Sequence, residues 1–324
     1  MTDIIPFDAA FGTRFSVSID TEEEFDWSGN LSRDGHGVAT AAALASGQHY
    51  FEQAHVVPAY YVDRPIIDSD VAIKALGPAL AGGAAEIGVH LHPWVSPPFI
   101  ETINRHNSYA GNLDRGIERE KIYLMQERIV ERLGVKPIAY RAGRYGIGPN
   151  SYDILTELGF RIDSSYRPLF DYRHDGGPDF RRSSPHPHWT SPSRSLIELP
   201  LSSHFLGWGG RLKPILFNRV RGRALLSGIA ARTGVVERVP LTPEGTPPDR
   251  ACAMIDHGLE QGVRLFSMSF HSPSLAPGYT PYVRDTSELA SFYRWFDTIF
   301  AHCVRRGIAN ASLAQIVEAA DAVR

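Results

Sequence analysis

The chain has 324 residues, which is long enough for one α/β domain of barrel size with a large hydrophobic core. Hydrophobic residues make up 43% and charged residues 21%, as in ordinary soluble globular proteins, and the net charge of -3 gives no electrostatic argument for binding nucleic acid or an anionic membrane. The two cysteines predict neither a disulfide framework nor a cysteine-based zinc site. The first residues lack the pattern of a signal peptide, and no stretch is apolar enough to span a bilayer, so we expect a cytoplasmic protein without a transmembrane segment.

Segments of strand length alternate with segments of helical period along the chain. The alternation predicts βα units that close a largely parallel sheet within a single domain, 1–324. An insertion is expected at about 206–248, and its basic, amphipathic part predicts a helical cover or a contact between copies in a homo-oligomer. The seven candidate strands are, in order, "FSVSID", "VPAYYVD", "AEIGVHLHP", "KPIAYRAG", "FRIDSS", "SLIELPLS" and "VRLFSMSFHSP".

Several of these strands carry polar side chains on one face only. In "FSVSIDTEEEF", Asp20 and Glu22 alternate with an apolar face, and in "EIGVHLHPW" His90 and His92 do the same. If the apolar faces pack against outer helices, the polar faces line a barrel and meet at its carboxyl rim, where α/β barrels place their active sites. The expected set is Asp20, Glu22, His90, His92, Arg141 and His271, and two further strands carry Asp163 and Glu198 on their polar faces.

A carboxylate beside two histidines predicts a divalent metal. Carboxylate oxygen and imidazole nitrogen are the usual ligands of a catalytic zinc that keeps one position open for water, although cobalt, nickel and iron suit the same donors. We expect one functional residue in the run Glu22 to Glu24, with the others facing solvent. The histidines of "DGHG" and "HPH", His36, His186 and His188, are expected in solvated loops, where either group could also complete the coordination.

In this order, the motifs resemble those of the polysaccharide deacetylase family, the NodB-homology carbohydrate esterases, and the pattern is similar to the WalW-like branch. The resemblance covers the chain from Phe15 to about Leu313. It implies a distorted (β/α)7 TIM-like barrel with inserted loops. It also implies a hydrolase that removes acetyl groups from an N-acetylated sugar or glycan precursor with the help of a divalent metal.

The resemblance assigns roles to individual residues. Asp20 corresponds to the catalytic base, Arg141 in "YRAGRYG" to its partner, and His271 in "FSMSFHSP" to the general acid, while the backbone near Tyr145 would donate to the oxyanion. The implied metal ligands are Glu22, His90 and His92, and the implied substrate-binding residues are Trp94, Asp163 and Glu198. This sequence departs from the usual pattern twice, because Thr21 separates the two acids and Trp94 stands where the second histidine is normally found.

Two other functions remain open from the sequence. The missing histidine at position 94 favours a metal-free amide hydrolase on the same barrel, similar to allantoinase-type relatives. A non-catalytic glycan-binding barrel would instead use the aromatic residues around Trp27, Trp94, Trp189 and Trp208. Retention of a base, its arginine partner and an acid together favours an enzyme.

Overall fold

The computed structural model of the protein describes residues 2–25, 29–207 and 236–324. Its strands are β1 (Asp3–Ile4), β2 (Thr13–Thr21), β3 (Ala59–Val62), β4 (Glu86–Leu91), β5 (Ala139–Ala142), β6 (Ile162–Asp163), β7 (His188–Trp189), β8 (Ile197–Glu198), β9 (Ser203–Leu206), β10 (Glu237–Pro240), β11 (Leu265–His271) and β12 (Ile308–Asn310). Its α-helices are α1 (Leu44–Gln53), α2 (Arg64–Asp68), α3 (Asp70–Ala81), α4 (Arg115–Leu133), α5 (Ser151–Glu157), α6 (Pro248–Glu260), α7 (Thr286–Arg305) and α8 (Leu313–Ala322).

Parallel strands form the main sheet, in the order β11-β2-β3-β4-β5-β6-β8. These seven strands coincide with the seven segments predicted from the sequence. β12 adds a parallel partner at the start of β2, while β7 and β1 extend the other end antiparallel. The expected parallel, seven-stranded α/β barrel fold is therefore confirmed.

The barrel closes through hydrogen bonds between the segment after β8 and strand β11. The Ser202 N–H donates to the carbonyl oxygen of Ser267 over 3.1 Å. Leu241 bridges the same gap, since its N–H donates to Ser202 at 2.9 Å and its carbonyl accepts from Ser269 at 3.3 Å. Because its last parallel strands are joined in this way, the sheet presents all of its carboxyl ends around one rim.

Two apolar layers fill the fold on either side of the sheet. The outer layer packs β-strand residues such as Ile19 and Val89 against helix residues such as Met125 and Phe296. The inner layer closes the base of the barrel with residues that include Ile162. Strand alternation explains both layers, because successive side chains point to opposite faces of the sheet. The carboxyl rim is thus left for polar side chains.

A local irregularity before β6 changes which residues face inward. The N–H groups of Arg161 and Ile162 both donate to the carbonyl of Ile138, at 2.8 and 3.1 Å, so one extra residue is inserted as in a β-bulge. From there on Ile162 faces the barrel interior, and Asp163 lies on the outer face beside Tyr140. A shift of one residue moves every following side chain to the other face.

Most of the predicted insertion at 206–248 lies outside the described residues. Its described parts include Leu206 and the β9–β10 hairpin, in which Leu206 pairs with Glu237. Among the helices that the structure describes, none is both long and apolar enough to cross a membrane.

Candidate metal and catalytic site

Arg141 at the end of β5 reaches across the barrel to Asp20 near the end of β2. Its Nη1 donates to Asp20 Oδ1, and its remaining groups donate to Ser18 Oγ at 2.8 Å, to the Ser164 carbonyl at 2.8 Å and to Ser164 Oγ at 2.9 Å. The guanidinium also lies 4.4 Å from the Tyr61 ring centroid. Arg141 is fully buried, so this set of bonds fixes its position and its charge.

The Arg141 charge decides the ionisation of Asp20. Burial alone raises the pKa of the Asp20 carboxyl, but the charge and hydrogen bond of Arg141, together with the charge of His271, outweigh burial and leave that pKa below its ordinary value. Asp20 is therefore a buried carboxylate that stays ionised at neutral pH.

Glu22, His90 and His92 form a compact cluster beside Asp20. Glu22 Oε2 lies 3.4 Å from His90 Nε2 and 3.5 Å from His92 Nε2, and the three candidate ligand atoms lie within 4.8 Å of one another. Burial lowers the pKa of both imidazoles, that of His92 to about 4, so both rings are neutral at pH 7. Burial raises the pKa of Glu22 to about 7.

The other nitrogen of each imidazole is held by an acceptor. His90 Nδ1 lies 3.1 Å from the carbonyl oxygen of Arg141, and His92 Nδ1 lies 2.8 Å from Glu23 Oε2. Since these partners accept hydrogen bonds, each Nδ1 carries the proton and each Nε2 presents its lone pair toward Glu22. This tautomer is the one that a divalent metal requires from histidine, so the residues fit a metal ion.

Glu23 forms a second layer behind the cluster. Its carboxylate accepts from His92 and from Trp94 Nε1, at 3.0 Å, and the Trp94 indole stacks on the His92 ring with centroids 4.3 Å apart. Glu23 N donates to Asp63 Oδ2 at 2.6 Å, and Asp63 also caps α2 through Ile66 N. Burial raises the pKa of both carboxyl groups, and the charge of Glu23 raises that of Asp63 further.

His271 is the last residue of β11, which pairs with β2 on the side away from β3 and β4. Its Nε2 is 3.9 Å from Asp20 Oδ2, and its Nδ1 is 2.7 Å from Glu244 Oε2. Burial lowers the pKa of His271, but the carboxylates of Glu244, Glu22 and Asp20 overcome that effect and raise it to about 10. Glu244 is fixed by the His271 N–H and by Ser274 Oγ, at 3.1 and 2.6 Å, so the imidazole is protonated and oriented.

The turn after β5 supplies the remaining predicted residue. Arg144 and Tyr145 both adopt left-handed backbone angles, with φ of 56° and 59°, and Tyr145 is buried. Consecutive left-handed non-glycine residues are strained and concentrate at functional sites. Gly143 precedes them, where a Cβ atom would come 2.2 Å from His92 Cδ2, so only glycine allows this turn to approach the histidine.

These residues open onto one cavity of about 520 Å³ at the carboxyl rim. Asp20, Glu22, His90, Tyr145 and His271 line its floor, and much of the remaining wall is aromatic. The aromatic wall residues are Phe25, Tyr109, Tyr172, Tyr279 and Tyr282. A cavity that combines aromatic rings with convergent charged groups is typical of small-molecule and sugar-sized ligand sites.

The fold and the site can be compared with known proteins. No protein-family model and no curated protein sequence matches this chain. Among solved structures, one described as a polysaccharide deacetylase from Mycobacterium smegmatis shares 17% identity and superposes with a TM-score of 0.58, covering 99% of this chain and 95% of that one.

The chain has the fold of the polysaccharide deacetylases. A second structure so described, from Pseudomonas aeruginosa PAO1, shares 13% identity with a TM-score of 0.51 and coverages of 97% and 93%. The PuuE allantoinase structure shares the same barrel, with 14% identity, a TM-score of 0.54 and coverages of 96% and 91%.

On this deacetylase fold, some predicted site residues lie away from the cavity. Trp94 is only 2% exposed and lies behind His92, so the structure does not bring it to the cavity wall. Asp163 and Glu198 also lie away from it, on the outer face of the sheet: the bulge before β6 turns Asp163 there, and Glu198 pairs with it in register, with Ile197 and Leu199 facing inward. There Glu198 accepts from Tyr152 Oη and Tyr166 N, at 3.0 and 3.1 Å.

The remaining aromatic and histidine candidates are also separate from the floor of the cavity. Trp189 is buried in the inner layer at the base of the barrel, whereas Trp27 and Trp208 lie outside the described residues. His188 pairs with Ile4 in the antiparallel end of the sheet. The aromatic wall of the cavity is therefore formed mainly by tyrosines rather than by the tryptophans expected from the sequence.

Two acidic residues of the site were not predicted as functional. Glu23 was expected to face solvent, but it is 1% exposed and holds His92. Glu244 lies in the loop before α6, 27 positions from the histidine that it holds. The sequence carried one signal for Glu23. Three consecutive glutamates follow a strand of buried character, and a carboxylate that is buried there needs partners, because unpaired charges are rarely buried. No local pattern marks Glu244.

Proposed function

We propose that this protein is a metal-dependent hydrolase that removes acetyl groups from an N-acetylated sugar or surface-polysaccharide precursor. The observation that carries the proposal is the shared tautomer of His90 and His92, whose Nε2 atoms both face Glu22 while their Nδ1 atoms are held by acceptors. The deacetylase fold and the tyrosine-walled cavity support the same function.

Glu22, His90 and His92 would hold the divalent metal, with zinc, cobalt, nickel or iron as candidates for this donor set. When bound, such an ion supplies Lewis acidity and lowers the pKa of a water molecule from near 16 to about 7. Glu23 and Trp94 would position His92, since they fix its ring from behind. The pKa of Glu22, about 7 from burial, suits a carboxyl that ionises fully when a cation is beside it.

Asp20 accepts the proton of the attacking water. Arg141 keeps Asp20 ionised and oriented, so the base is charged at neutral pH although it is buried. A backbone N–H at the strained Arg144–Tyr145 turn would donate to the developing oxyanion, a contribution of about 3 kcal/mol per well-placed donor.

His271 donates a proton to the departing amine. Its raised pKa, about 10, keeps the imidazole protonated at neutral pH, and the Glu244 carboxylate holds the ring through Nδ1 so that Nε2 faces Asp20. General acid catalysis of this kind contributes about 10² to 10⁴ in rate. The base and the acid lie side by side, with His271 Nε2 3.9 Å from Asp20 Oδ2, and the products are acetate and a free amino sugar.

A metal-free amide hydrolase on the same barrel is the second candidate. Without an ion, the cluster of Glu22, His90 and His92 carries little unpaired charge, because both imidazoles are neutral and Glu22 has a pKa of about 7. Asp20 and His271 would keep the same roles. A non-catalytic glycan-binding barrel is less well supported, since binding alone requires neither the Asp20–Arg141 pair nor the His271–Glu244 pair.

Acetate release tests the proposal. Purified protein loaded with zinc or cobalt is incubated with N-acetylglucosamine oligosaccharides, and acetate is measured before and after chelation of the metal. The deacetylase predicts release that stops on chelation and returns with metal, and that Asp20→Asn abolishes. Release that is insensitive to chelation would identify the metal-free hydrolase, and no release from any acetylated amino sugar or ester would overturn the proposed activity.

A further inference from the structure

Arg167 is a cation on the cavity wall that the proposed chemistry does not use. It follows β6, and its guanidinium lies between two aromatic rings, 5.0 Å from the Tyr145 centroid and 4.0 Å from the Phe170 centroid. Its Nη1 donates to Tyr172 Oη over 3.0 Å. Stacking between rings fixes the plane of a guanidinium and leaves its edge available for hydrogen bonding.

The hydrogen-bonding capacity of Arg167 is mostly unused. A guanidinium has five N–H donors, and Tyr172 takes one of them. Within residues 2–25, 29–207 and 236–324, no carboxylate oxygen lies within 4.0 Å of the Arg167 guanidinium, whereas the other two arginines of the site each have an acidic partner. Arg141 is bonded to Asp20, and Arg144 is bonded to Asp175.

The carboxylate whose charge acts on Arg167 is already hydrogen-bonded to other residues. Glu244 acts on Arg167 through its charge, but its oxygens accept from His271 and Ser274. Arg167 is partly buried against the rings, so water screens its charge less than on an open surface. A partly buried arginine fork that faces a cavity, with no acidic partner in the part of the chain that the structure describes, matches a planar or tetrahedral oxyanion on a ligand.

We propose that Arg167 binds an anionic group, a carboxylate or a phosphate, on the substrate of this enzyme. The inference rests on the proposed deacetylase function and makes it more specific. The substrate would be an acidic acetylated glycan that contains a uronate, or a phosphorylated acetyl-sugar precursor. The anion would lie against Tyr172, on the wall of the same cavity that contains Asp20 and His271.

Direct binding of small anions tests this subsite without depending on catalysis. Isothermal titration calorimetry compares D-glucuronate, inorganic phosphate and neutral D-glucose on wild type, Arg167→Gln and Arg167→Lys. Arg238→Gln is the matched control, because Arg238 stacks on the same Phe170 ring at 3.5 Å but does not line the cavity. All four proteins are brought to the same metal content, so that any binding of phosphate to the metal cancels in the comparison.

We expect wild type and Arg238→Gln to bind at least one anion about tenfold or more tightly than Arg167→Gln does, with Arg167→Lys between them. D-Glucose should bind all four proteins equally. Stronger binding of glucuronate identifies the carboxylate class, and stronger binding of phosphate identifies the phosphate class. Equal anion affinity in wild type and Arg167→Gln, or no anion binding by wild type, would overturn the inference.

The same proteins separate this inference from the proposed function. Hydrolysis of neutral 4-nitrophenyl acetate reports the acetyl-removing chemistry, which does not involve Arg167. Ester hydrolysis by wild type and Arg238→Gln, together with loss of anion binding in Arg167→Gln, supports both proposals. If no protein hydrolyses the ester but anion binding still depends on Arg167, the deacetylase function fails while the anion subsite stands.

Discussion

His271 Nδ1 lies 2.7 Å from Glu244 Oε2, and this contact joins the end of β11 to a loop 27 positions earlier in the chain. It raises the pKa of the imidazole from its ordinary value of about 6.5 to about 10, so His271 stays protonated at neutral pH.

Glu244→Gln should move the alkaline limit of activity. The His271 pKa of about 10 depends on Glu244 first among the acids around it, so the neutral amide should lower that pKa. The acid must be protonated to act, and the alkaline limb of kcat/KM should therefore move to lower pH than in wild type. Glu260→Gln, an exposed change at the end of α6, is the control and should leave the profile unchanged. An unshifted limb in Glu244→Gln would contradict the role given to this pair.

The same pair should also stabilise the fold in a defined pH range. A folded pKa of about 10 for His271 lies above the unfolded value of about 6.5. The contribution to the free energy of unfolding is therefore complete below about pH 6.5 and is lost as the pH rises toward 10. Urea unfolding at pH 6, 8 and 10 should show this loss in wild type and a weaker loss in Glu244→Gln. Parallel curves for the two proteins would contradict it.

Arg141→Met should destabilise the protein by about 3 to 5 kcal/mol at pH 7, because it leaves the buried Asp20 carboxylate without its cation. The second change Asp20→Asn, made in the Arg141→Met background, should recover part of that loss by removing the unpaired charge. Urea unfolding of the two single variants and the double variant measures the coupling. Additive losses would show that the two side chains do not act as an ion pair.

Trp94→Phe should weaken metal binding rather than remove a sugar contact. The change deletes the indole N–H that holds Glu23, and Glu23 in turn fixes His92, so we expect metal affinity to fall by about 10 to 100-fold. Trp295→Phe is the matched control, since it removes another buried indole hydrogen bond, to the Thr246 carbonyl at 2.9 Å. Competition with a chromophoric chelator measures both affinities. Equal metal affinity in the two variants would show that Trp94 does not act through His92.

Glu198→Gln should increase stability at alkaline pH and leave acetate release unchanged. Burial and the charge of Asp163 raise the pKa of Glu198 well above its ordinary value, and burial raises that of Asp163 to about 6. An acid whose pKa is raised by folding costs stability above its unfolded pKa, so the neutral amide should add about 1 kcal/mol or more at pH 8 and little at pH 4. Urea unfolding at both pH values tests the sign. A loss of acetate release with retained stability would place Glu198 in the substrate site instead.

The strand period explains how much of the site could be predicted from the sequence. Asp20, His90, Arg141 and His271 alternate with apolar neighbours in regular strands, so their common inward face follows from sequence alone. Asp163 and Glu198 obey the same alternation in the sequence. The bulge at 161–162 reverses the face of Asp163, and no residue type in that segment marks a bulge. Glu198 shares that outer face because it pairs with Asp163, while the apolar Ile197 and Leu199 face inward.

Contacts between distant loops limited the rest of the prediction. Glu244 reaches His271, and Asp63 reaches Glu23, across 27 and 40 positions without any periodic pattern. Asp63 has the sequence features of a helix N-cap, and it does cap α2, so its second hydrogen bond could not be inferred locally. Arg167 was not singled out for a similar reason, since its partners Tyr145 and Tyr172 come from two separate loops.

The measurement that tests the central claim most directly is the metal content of purified wild type, His90→Ala and His92→Ala by elemental analysis. His49→Ala, an exposed histidine on α1, is the control. We predict about one divalent ion per chain in wild type and in His49→Ala, with strong depletion in both other variants. Wild type that stays empty after incubation with zinc or cobalt, or His90→Ala that retains its full metal content, would contradict the account.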